Sequence, residues 1–256
     1  MGELLYYDPY PLHAPSTMLE VRGAPSRGDL PSPAGEFAAP LPAPALVLVP
    51  AVRTHTPIRR AWKSVVDPLV AAALLLVLAP VWLCVGLLVL VSSGAPVLYR
   101  QQRVGYGGRT FMCLKFRTMR RTADAELASL LHRNEHDGVL FKIRNDPRIT
   151  KVGRLLRQWS LDELPQLFNV LRGDMSIVGP RPALPSEVDR FEVELLRRHH
   201  VKPGLTGLWQ VNGRADLAWE DAIRYDLEYV DHWTPWLDIK IIVRTFGVVL
   251  RRTGAY

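Results

Sequence analysis

The longest apolar stretch of the chain runs from Leu69 to Val91, 23 residues without a charged side chain. One helix of that length can cross a bilayer, which takes about 20 apolar residues. Pro80 lies in the middle of the stretch, where proline removes a helical hydrogen bond and bends or breaks the helix. The pattern therefore allows two structures, a single spanning helix or a hairpin of two shorter helices.

Basic residues flank the apolar stretch on both sides, which bears on the choice between these structures. Positive side chains mark the cytoplasmic side of a membrane. They occur here before and after the stretch, as Arg59, Arg60, Lys63, Arg100, Arg103 and Arg109. An equal bias at both ends suits a hairpin that returns to the side it entered. Asp67-Pro68 predicts the start of its first helix, because proline is tolerated in a first helical turn.

Beyond this stretch the pattern changes first to strands and then to helices. Val97–Arg103 and Thr110–Arg117 predict two strands joined by a loop at Gly105–Gly108, with Lys115 and Arg117 on one face. Helical spacing then predicts further helices at Thr122–Arg133, Ile149–Trp159, Ser186–His200, Trp219–Val230 and Trp233–Arg252. We therefore expect an α+β fold that is mostly helical and contains a short β-hairpin.

The last predicted helix combines an apolar surface with a basic stripe. Lys240, Arg244 and Arg251 fall on one face, and apolar residues cover much of the rest. This pattern is typical of an amphipathic helix lying in a membrane interface. A core helix with one hydrated stripe has the same pattern, so both interpretations stay open.

Residues 1–57 differ in composition from the rest of the chain. They contain eleven of its 21 prolines, a density that excludes helix and sheet interiors. Such a segment buries too little apolar surface to offset its ordering entropy. We therefore expect a disordered Pro/Ala-rich tail over residues 1–57, a membrane helix over 58–95 and a catalytic domain over 96–256.

The formal net charge of +7 indicates an anionic partner. The chain has no recognition-helix or zinc-finger pattern, and its basic residues lie beside apolar stretches. These features argue against nucleic acid and favour anionic membranes or phosphate-bearing substrates. Two cysteines, Cys84 and Cys113, form neither a disulfide framework nor a metal cluster.

Two adjacent carboxylates, Asp162 and Glu163, precede an apolar segment that ends at Gly173, an expected C-terminal helix stop. Ser160 with Glu163 predicts a capping box, and Asp162 is the alternative cap because Pro165 suits only a first helical turn. In either case a helix N-terminus would keep the carboxylates ionised and attract phosphate. An ordinary capped helix fits the same residues.

Three motifs carry a resemblance to a known family. They are Lys115-Phe116-Arg117-Thr118-Met119, the segment from Ser160 to Pro182, and Lys202–Gly207 with Gln210–Arg214. In this order they resemble the bacterial sugar transferase family, the monotopic polyprenyl-phosphate hexose-1-phosphate transferases (phosphoglycosyl transferases) of exopolysaccharide synthesis. The resemblance extends roughly from Arg59 to the C-terminus.

The resemblance implies transfer of a sugar 1-phosphate from a nucleotide diphosphate sugar, with uridine as the expected nucleotide, to undecaprenyl (polyprenyl) phosphate. It implies Asp162 as the nucleophile and Glu163 as a metal ligand or proton handler. Mg²⁺ bound by this pair would neutralise the diphosphate. Lys115, Arg117 and Arg181 would bind phosphate. Galactose, glucose and an acetamido sugar all remain open as the sugar.

The resemblance also implies a place in the cell. Members insert a re-entrant helix broken at a proline into the inner (cytoplasmic) membrane, with the catalytic domain facing the cytoplasm. Asp67, Pro68 and Pro80 are therefore expected to serve membrane insertion, although Ala79 stands where some members carry serine. Membrane lipid is then a partner besides the two substrates, and a homodimer is compatible with this arrangement. A non-catalytic membrane-associated scaffold of polysaccharide assembly is the alternative function.

Overall fold

The computed structural model describes residues 57–135, 143, 145–213 and 217–251, with side chains from Ala61 onward. The predicted disordered tail lies outside the described residues except at Pro57, where the first helix begins. Most of the described chain is helical, as predicted. The helices are α1 (Pro57–Val77), α2 (Ala79–Ser93), α3 (Ala123–Leu130), α4 (Lys151–Gln158), α5 (Gln166–Arg172), α6 (Pro185–Val188), α7 (Leu208–Val211), α8 (Trp219–His232) and α9 (Pro235–Arg251).

Four short strands form two separate pairs. β1 (Leu98–Val104) and β2 (Thr110–Phe116) are the predicted antiparallel hairpin, with Leu98 opposite Phe116 and Val104 opposite Thr110. β3 (Ser176–Val178) and β4 (Gly204–Thr206) pair in parallel and have no counterpart in the prediction. The α+β class, mostly helical with a short β-hairpin, is confirmed.

The parallel pair depends on glycines at the points of closest backbone approach. A Cβ added to Gly204 would lie 2.1 Å from the Gly179 nitrogen, and one on Gly207 would lie 2.3 Å from the Gly179 carbonyl oxygen. No side chain fits at these distances, so glycine is required at both positions. The glycines of the third motif therefore hold β4 against the segment that follows β3.

The apolar stretch folds as two helices that meet at an angle of 67°. The break falls at Leu78, and Pro80 occupies the first turn of α2, where its missing N–H costs nothing. Within the described residues, no single helix is long and apolar enough to cross a membrane, whereas this bent pair meets that criterion when taken together. The break predicted at Pro80 is confirmed.

The predicted start of the first helix at Asp67-Pro68 is wrong. α1 begins ten residues earlier, at Pro57, and Pro68 lies inside it. Asp67 is buried and accepts a hydrogen bond of 2.6 Å from the Ser176 hydroxyl. Local preference placed a helix start at this dipeptide, but the packing of Asp67 against β3 holds the helix through it.

Lys63 explains how the first turns of α1 are fixed to the rest of the protein. Its ammonium group donates to the Val178 carbonyl at 2.8 Å, to the Tyr229 hydroxyl at 2.9 Å and to the Asp238 carboxylate at 2.8 Å. Trp233 also donates its indole N–H to Asp238 at 3.0 Å. Lys63, which the sequence presents as a flanking charge, therefore joins α1 to β3, α8 and α9.

Two further helices differ from or refine the prediction. Ser186–His200 is not one helix: it divides into α6 and a 3₁₀ segment, Val193–His200, with Glu187 on the first part and Arg198 on the second both contacting Arg181. α9 buries Ile241 but leaves an apolar face exposed, which excludes the core-helix alternative within the described structure. The exposed residues of this face are Trp236, Ile239, Val243, Phe246 and Leu250.

Asn169 fixes α5 against the free edge of β2. Its side-chain oxygen accepts a hydrogen bond of 3.0 Å from the Leu114 backbone N–H. Its amide nitrogen donates to the Met112 carbonyl at 2.8 Å, and the residue has no exposed surface. The side chain thus substitutes for a third strand along β2.

We predict that Asn169→Ala lowers the free energy of unfolding by about 1 to 3 kcal/mol, because the buried Leu114 N–H loses its partner and the Met112 carbonyl loses a donor. Asn212→Ala is the matched control. That side chain donates one hydrogen bond, to the Leu208 carbonyl, from a half-buried position. Chemical denaturation of both variants in detergent measures the difference. Equal losses in the two variants would contradict the role given to Asn169.

Candidate active site

The acidic pair lies in a tight turn between α4 and α5. Leu161–Glu163 form one 3₁₀ turn, entered through Ser160 in the left-handed conformation with φ of 55°. Ser160 makes no side-chain cap, and α5 begins only at Gln166, after Pro165. The predicted capping box and its alternative at Asp162 are therefore both wrong. The predicted stop at Gly173 is confirmed, with φ of 83°.

Glu163 pairs with Lys115 across the turn. The Lys115 ammonium lies 2.7 Å from a Glu163 carboxylate oxygen, and about a third of each side chain is exposed. Lys115 is on β2, the strand to which Asn169 fastens α5. Asn169 therefore holds β2 and α5 together. Because the acidic pair lies in the turn just before α5, this sets the distance between Lys115 and the acidic pair.

Asp162 is buried, with 8% of its surface exposed. Burial, and then the neighbouring charge of Glu163, raise the pKa of its carboxyl from 3.8 to about 6. Lys115 and Arg157 act in the opposite direction and lower that pKa. The prediction is that a helix N-terminus keeps this carboxylate ionised. Asp162 lies in a 3₁₀ turn instead, and desolvation there outweighs the favourable charges, yet with a pKa of about 6 the carboxylate is still ionised at neutral pH.

Arg157 is the site residue that the sequence identified least clearly. From the sequence, Arg157 and its basic neighbours suggest a solvated face or, as a second interpretation, a phosphate-binding wall before the acidic pair. In the structure Arg157 is half-buried, and Asp162 and Glu163 both influence its pKa. Burial lowers the pKa of its guanidinium, and the charge of Asp162 has the largest opposing effect on that pKa. Its Nε donates to the Thr118 hydroxyl at 3.0 Å. Arg157 therefore adds a cation to the surroundings of Asp162 and is fixed to the segment that follows β2.

The end of β2 positions α4 and its arginine. Thr150 caps α4 by accepting a hydrogen bond of 2.9 Å from the Gly153 N–H. A Cβ on Gly153 would lie 2.0 Å from the Thr118 carbonyl oxygen, so only glycine allows this packing. The first motif therefore supplies Lys115 to the site and, through Thr118, the backbone surface on which α4 packs.

Arg117 and Arg181 lie in different surroundings from Lys115. Arg117 is buried and donates to the Ser93 carbonyl at 2.8 Å and to the Gly94 carbonyl. Its contacts fasten the end of α2 to the β-hairpin, and of the two motif cations it is Lys115 that contacts the acidic pair. Arg181 forms an ion pair of 3.0 Å with Glu187 and keeps a quarter of its side chain exposed.

A family model described as bacterial sugar transferase matches residues 58–252, which is most of the chain and includes every site residue described above. The chain belongs to the bacterial sugar transferase family.

Several curated relatives are similar to this transferase over most of its length. The undecaprenyl-phosphate galactose phosphotransferase of Salmonella typhimurium is 49% identical over 171 residues, covering 64% of this chain and 35% of the relative. The UDP-glucose:undecaprenyl-phosphate glucose-1-phosphate transferase of Xanthomonas campestris pv. campestris is 43% identical over 202 residues, covering 76% and 40%. The exopolysaccharide production protein ExoY of Rhizobium meliloti is 40% identical over 194 residues, covering 74% and 86%. The chain spans less than half the length of the first two relatives and most of the third.

The acidic pair of this transferase fits a magnesium ion. The described residues contain no group of three or more His, Cys, Asp or Glu side chains arranged to hold a metal. Mg²⁺ needs fewer protein ligands, because it commonly binds one or two carboxylates together with substrate phosphates and water. Asp162 and Glu163 supply two carboxylates whose mutual repulsion a cation would relieve.

We predict that the titration midpoint of Asp162 responds in opposite directions to its two neighbours. Lys115→Met removes a cation and should raise the midpoint above about 6, whereas Glu163→Gln removes an anion and should lower it. Carboxyl NMR of ¹³C-labelled aspartate in metal-free buffer measures the midpoint. Lys151→Met, an exposed change on α4, is the control and should leave it unchanged. Shifts of the same sign in both variants would refute this account.

The same raised pKa has a consequence for stability. Because folding raises the pKa of Asp162, its contribution to the free energy of unfolding is greatest below pH 3.8 and is lost as the pH rises toward 6.

Proposed function

We propose that this chain transfers a sugar 1-phosphate from a nucleotide diphosphate sugar, most simply a UDP-hexose, to undecaprenyl phosphate. The products are polyprenyl-diphosphate sugar and a nucleoside monophosphate. Membership of the bacterial sugar transferase family and the names of its relatives support this reaction. Because those names include both galactose and glucose, the sugar stays open, and a panel of nucleotide sugars identifies it.

The observation that carries the proposal is the buried Asp162 beside the Glu163–Lys115 pair. A carboxylate with a pKa near 6 is ionised at neutral pH, yet burial leaves it weakly hydrated. A non-catalytic scaffold has no need of such a group, because an exposed carboxylate would be cheaper in free energy. Perturbed titratable groups of this kind cluster at catalytic sites. The site therefore favours catalysis over the scaffold alternative.

The chemistry follows from the roles that these groups can take. An Asp162 oxygen forms a bond to the sugar-bearing phosphorus while the bond to the bridging oxygen breaks, and that electron pair leaves with the nucleoside monophosphate. An oxygen of the lipid phosphate then attacks the same phosphorus and releases Asp162. Lys115 and Arg157 offset the negative charge around the reacting phosphorus, and Arg181 has exposed guanidinium surface for phosphate.

Asp162 and Glu163 would hold Mg²⁺, which supplies neutralisation of the diphosphate charge when bound. This leaves a second order of events open, in which the lipid phosphate attacks directly and both carboxylates serve only as metal ligands. Adjacent carboxylates fit either scheme, so the order is a matter for experiment.

A membrane location is part of the proposal. The bent pair α1–α2 and the apolar face of α9 leave large apolar side chains exposed, and such surfaces mark membrane or protein contacts. On α1 and α2 they include Leu69, Leu76, Val77, Leu83, Leu87, Leu90 and Val91. We infer that the pair enters the inner membrane as a re-entrant hairpin, with the catalytic domain on the cytoplasmic side.

We predict a covalent sugar-phosphate adduct on Asp162 when the enzyme is incubated with nucleotide sugar and Mg²⁺ but no lipid. Intact-protein and peptide mass spectrometry detect it, with release of nucleoside monophosphate before lipid is added. Asp162→Asn should form no adduct and reduce turnover to background, since an amide is a poor nucleophile. Asp124→Asn, the same change at an exposed position of α3, is the control and should behave as the unmodified protein.

Intersecting kinetic lines, without an adduct and without early release of the monophosphate, would rule out the covalent order and leave Asp162 as a metal ligand. Glu163→Gln separates the roles further. It should increase the Mg²⁺ concentration needed for half-maximal rate as well as lower the rate itself.

We predict that the two ends of the helix pair lie on the same side of the membrane. Single cysteines at positions 60 and 100, in a protein whose Cys84 and Cys113 are replaced by alanine, should react with an impermeant reagent from the cytoplasmic side only. Pro80→Leu restores a backbone N–H and should favour a straight helix, moving one label to the opposite side. Labelling of the two positions from opposite sides in the protein with Pro80 would disprove the hairpin.

A further inference from the structure

Two arginines from separate elements contact the turn that carries Arg181. Arg103, on β1, donates to the Pro182 carbonyl at 2.9 Å. Arg198, in the 3₁₀ segment Val193–His200, donates to the Arg181 carbonyl at 2.8 Å. We call Arg103, Arg181 and Arg198 the arginine cluster. Two nearly buried guanidinium groups thus hold the successive carbonyls of Arg181 and Pro182, while the Arg181 side chain is partly exposed.

The arginine cluster contains more positive than negative charge. Glu187 forms the ion pair with Arg181, and Asp226 forms one with Arg198. In the described part of the chain, Arg103 has no carboxylate within ion-pair distance, and its hydrogen bonds go to the neutral oxygens of Gln101 and Pro182. Three cations therefore face two anions, although only 8% of Arg103 is exposed.

A buried cation without its own anion is costly, so its presence needs an explanation. Burial and the nearby Arg181 lower the pKa of Arg103 to about 10, and it still carries its charge at neutral pH. A purely structural residue holding the Pro182 carbonyl could be neutral. The excess charge is accounted for if an anion binds at this place.

The strand register places Arg103 on the face of the hairpin that carries the acidic pair's lysine. Gln101 lies opposite Cys113, and Tyr99 lies opposite Lys115. Since side chains alternate along a strand, Gln101, Arg103, Cys113 and Lys115 share one face. Burial raises the pKa of the Cys113 thiol, which also senses Lys115, Arg103, Glu163 and Arg181. Along this face the Gln101–Cys113 pair lies between the Tyr99–Lys115 pair and the Arg103–Phe111 pair.

We propose that the arginine cluster is a phosphate subsite beside the acidic pair, with Arg103 supplying the uncompensated charge and Gln101 acting as its positioning residue. The inference rests on the proposed transfer reaction, in which the nucleotide sugar and the lipid acceptor both bring phosphate to this face. Arg181 has exposed surface for contact with the phosphate. Arg103 lies deeper, hydrogen-bonded to Gln101 through Nε at 3.1 Å and through a terminal nitrogen.

The test measures binding without turnover, by isothermal titration calorimetry and by the rise in unfolding temperature on adding ligand. Arg103→Met should weaken phosphate binding about tenfold or more, the usual effect of losing a charge-assisted hydrogen bond. Arg103→Lys keeps the positive charge but loses the planar guanidinium group with its fixed set of N–H donors, and it should bind phosphate with intermediate affinity. Gln101→Leu should also weaken binding. Arg100→Met, an exposed neighbour on the opposite face of β1, is the matched control and should leave it unchanged.

Two probes distinguish the source of the phosphate. If Arg103→Met weakens the binding of uridine monophosphate but not of the lipid probe, the subsite belongs to the nucleotide sugar. Weaker binding of a short-chain isoprenyl phosphate in detergent assigns it to the lipid acceptor. Affinity equal to that of the unmodified protein for both probes in Arg103→Met overturns the proposal.

Circular dichroism checks that each variant is folded. If Arg103→Met does not fold, Gln101→Leu and Arg103→Lys decide, and unchanged binding in both overturns the subsite. A structural role would lower the unfolding temperature without ligand but preserve the rise on adding phosphate, so that result also counts against the proposal. Loss of phosphate binding in a protein that shows no sugar transfer would support the subsite while refuting the proposed reaction.

Discussion

The pairing of the Asn169 amide with the edge of β2 is the interaction on which the site depends. The Asn169 side chain binds the edge of β2 that a third strand would otherwise occupy. It thereby holds α5 so that Glu163, in the turn before α5, contacts Lys115. The Leu114 N–H is buried, so breaking the contact leaves it without a partner at a cost of about 1 to 3 kcal/mol. The acidic pair is thus set by a single amide inside the core rather than by the turn that carries it.

Burial, rather than a helix dipole, controls the chemistry of the acidic pair. In a 3₁₀ turn followed by proline, Asp162 loses water without gaining a helix N-terminus, and its pKa rises to about 6. Lys115 and Arg157 oppose that rise. Burial and these opposing charges together place the pKa of Asp162 at about 6, and substrate phosphate or a metal ion would change that pKa.

The features predicted correctly from the sequence are those determined by local backbone chemistry. Pro80 breaks the apolar stretch, Gly173 ends α5, and alternation gives the β-hairpin. The features that were missed depend on partners distant in the sequence. Lys63 contacts Asp238, 175 residues away, and Asn169 contacts Leu114, 55 residues away. Asp67 misled for the same reason, because its contact with Ser176 overrode a valid local signal. Ser160 misled locally, because it enters the turn with a left-handed backbone and makes no side-chain cap.

One side of α1 carries polar residues that contact the rest of the protein, and its other side exposes apolar residues. Lys63 and Asp67 bind β3, α8 and α9, while Leu69 and Leu76 face outward. A helix with this division is not an interchangeable apolar segment, because a replacement of equal hydrophobicity would remove the hydrogen bonds that Lys63 donates to Asp238 and that Asp67 accepts from Ser176. Chimeras between members of the family therefore need to exchange α1 together with the strand and helices it contacts. Exchanging the apolar stretch alone would join it to polar contacts that evolved with a different helix.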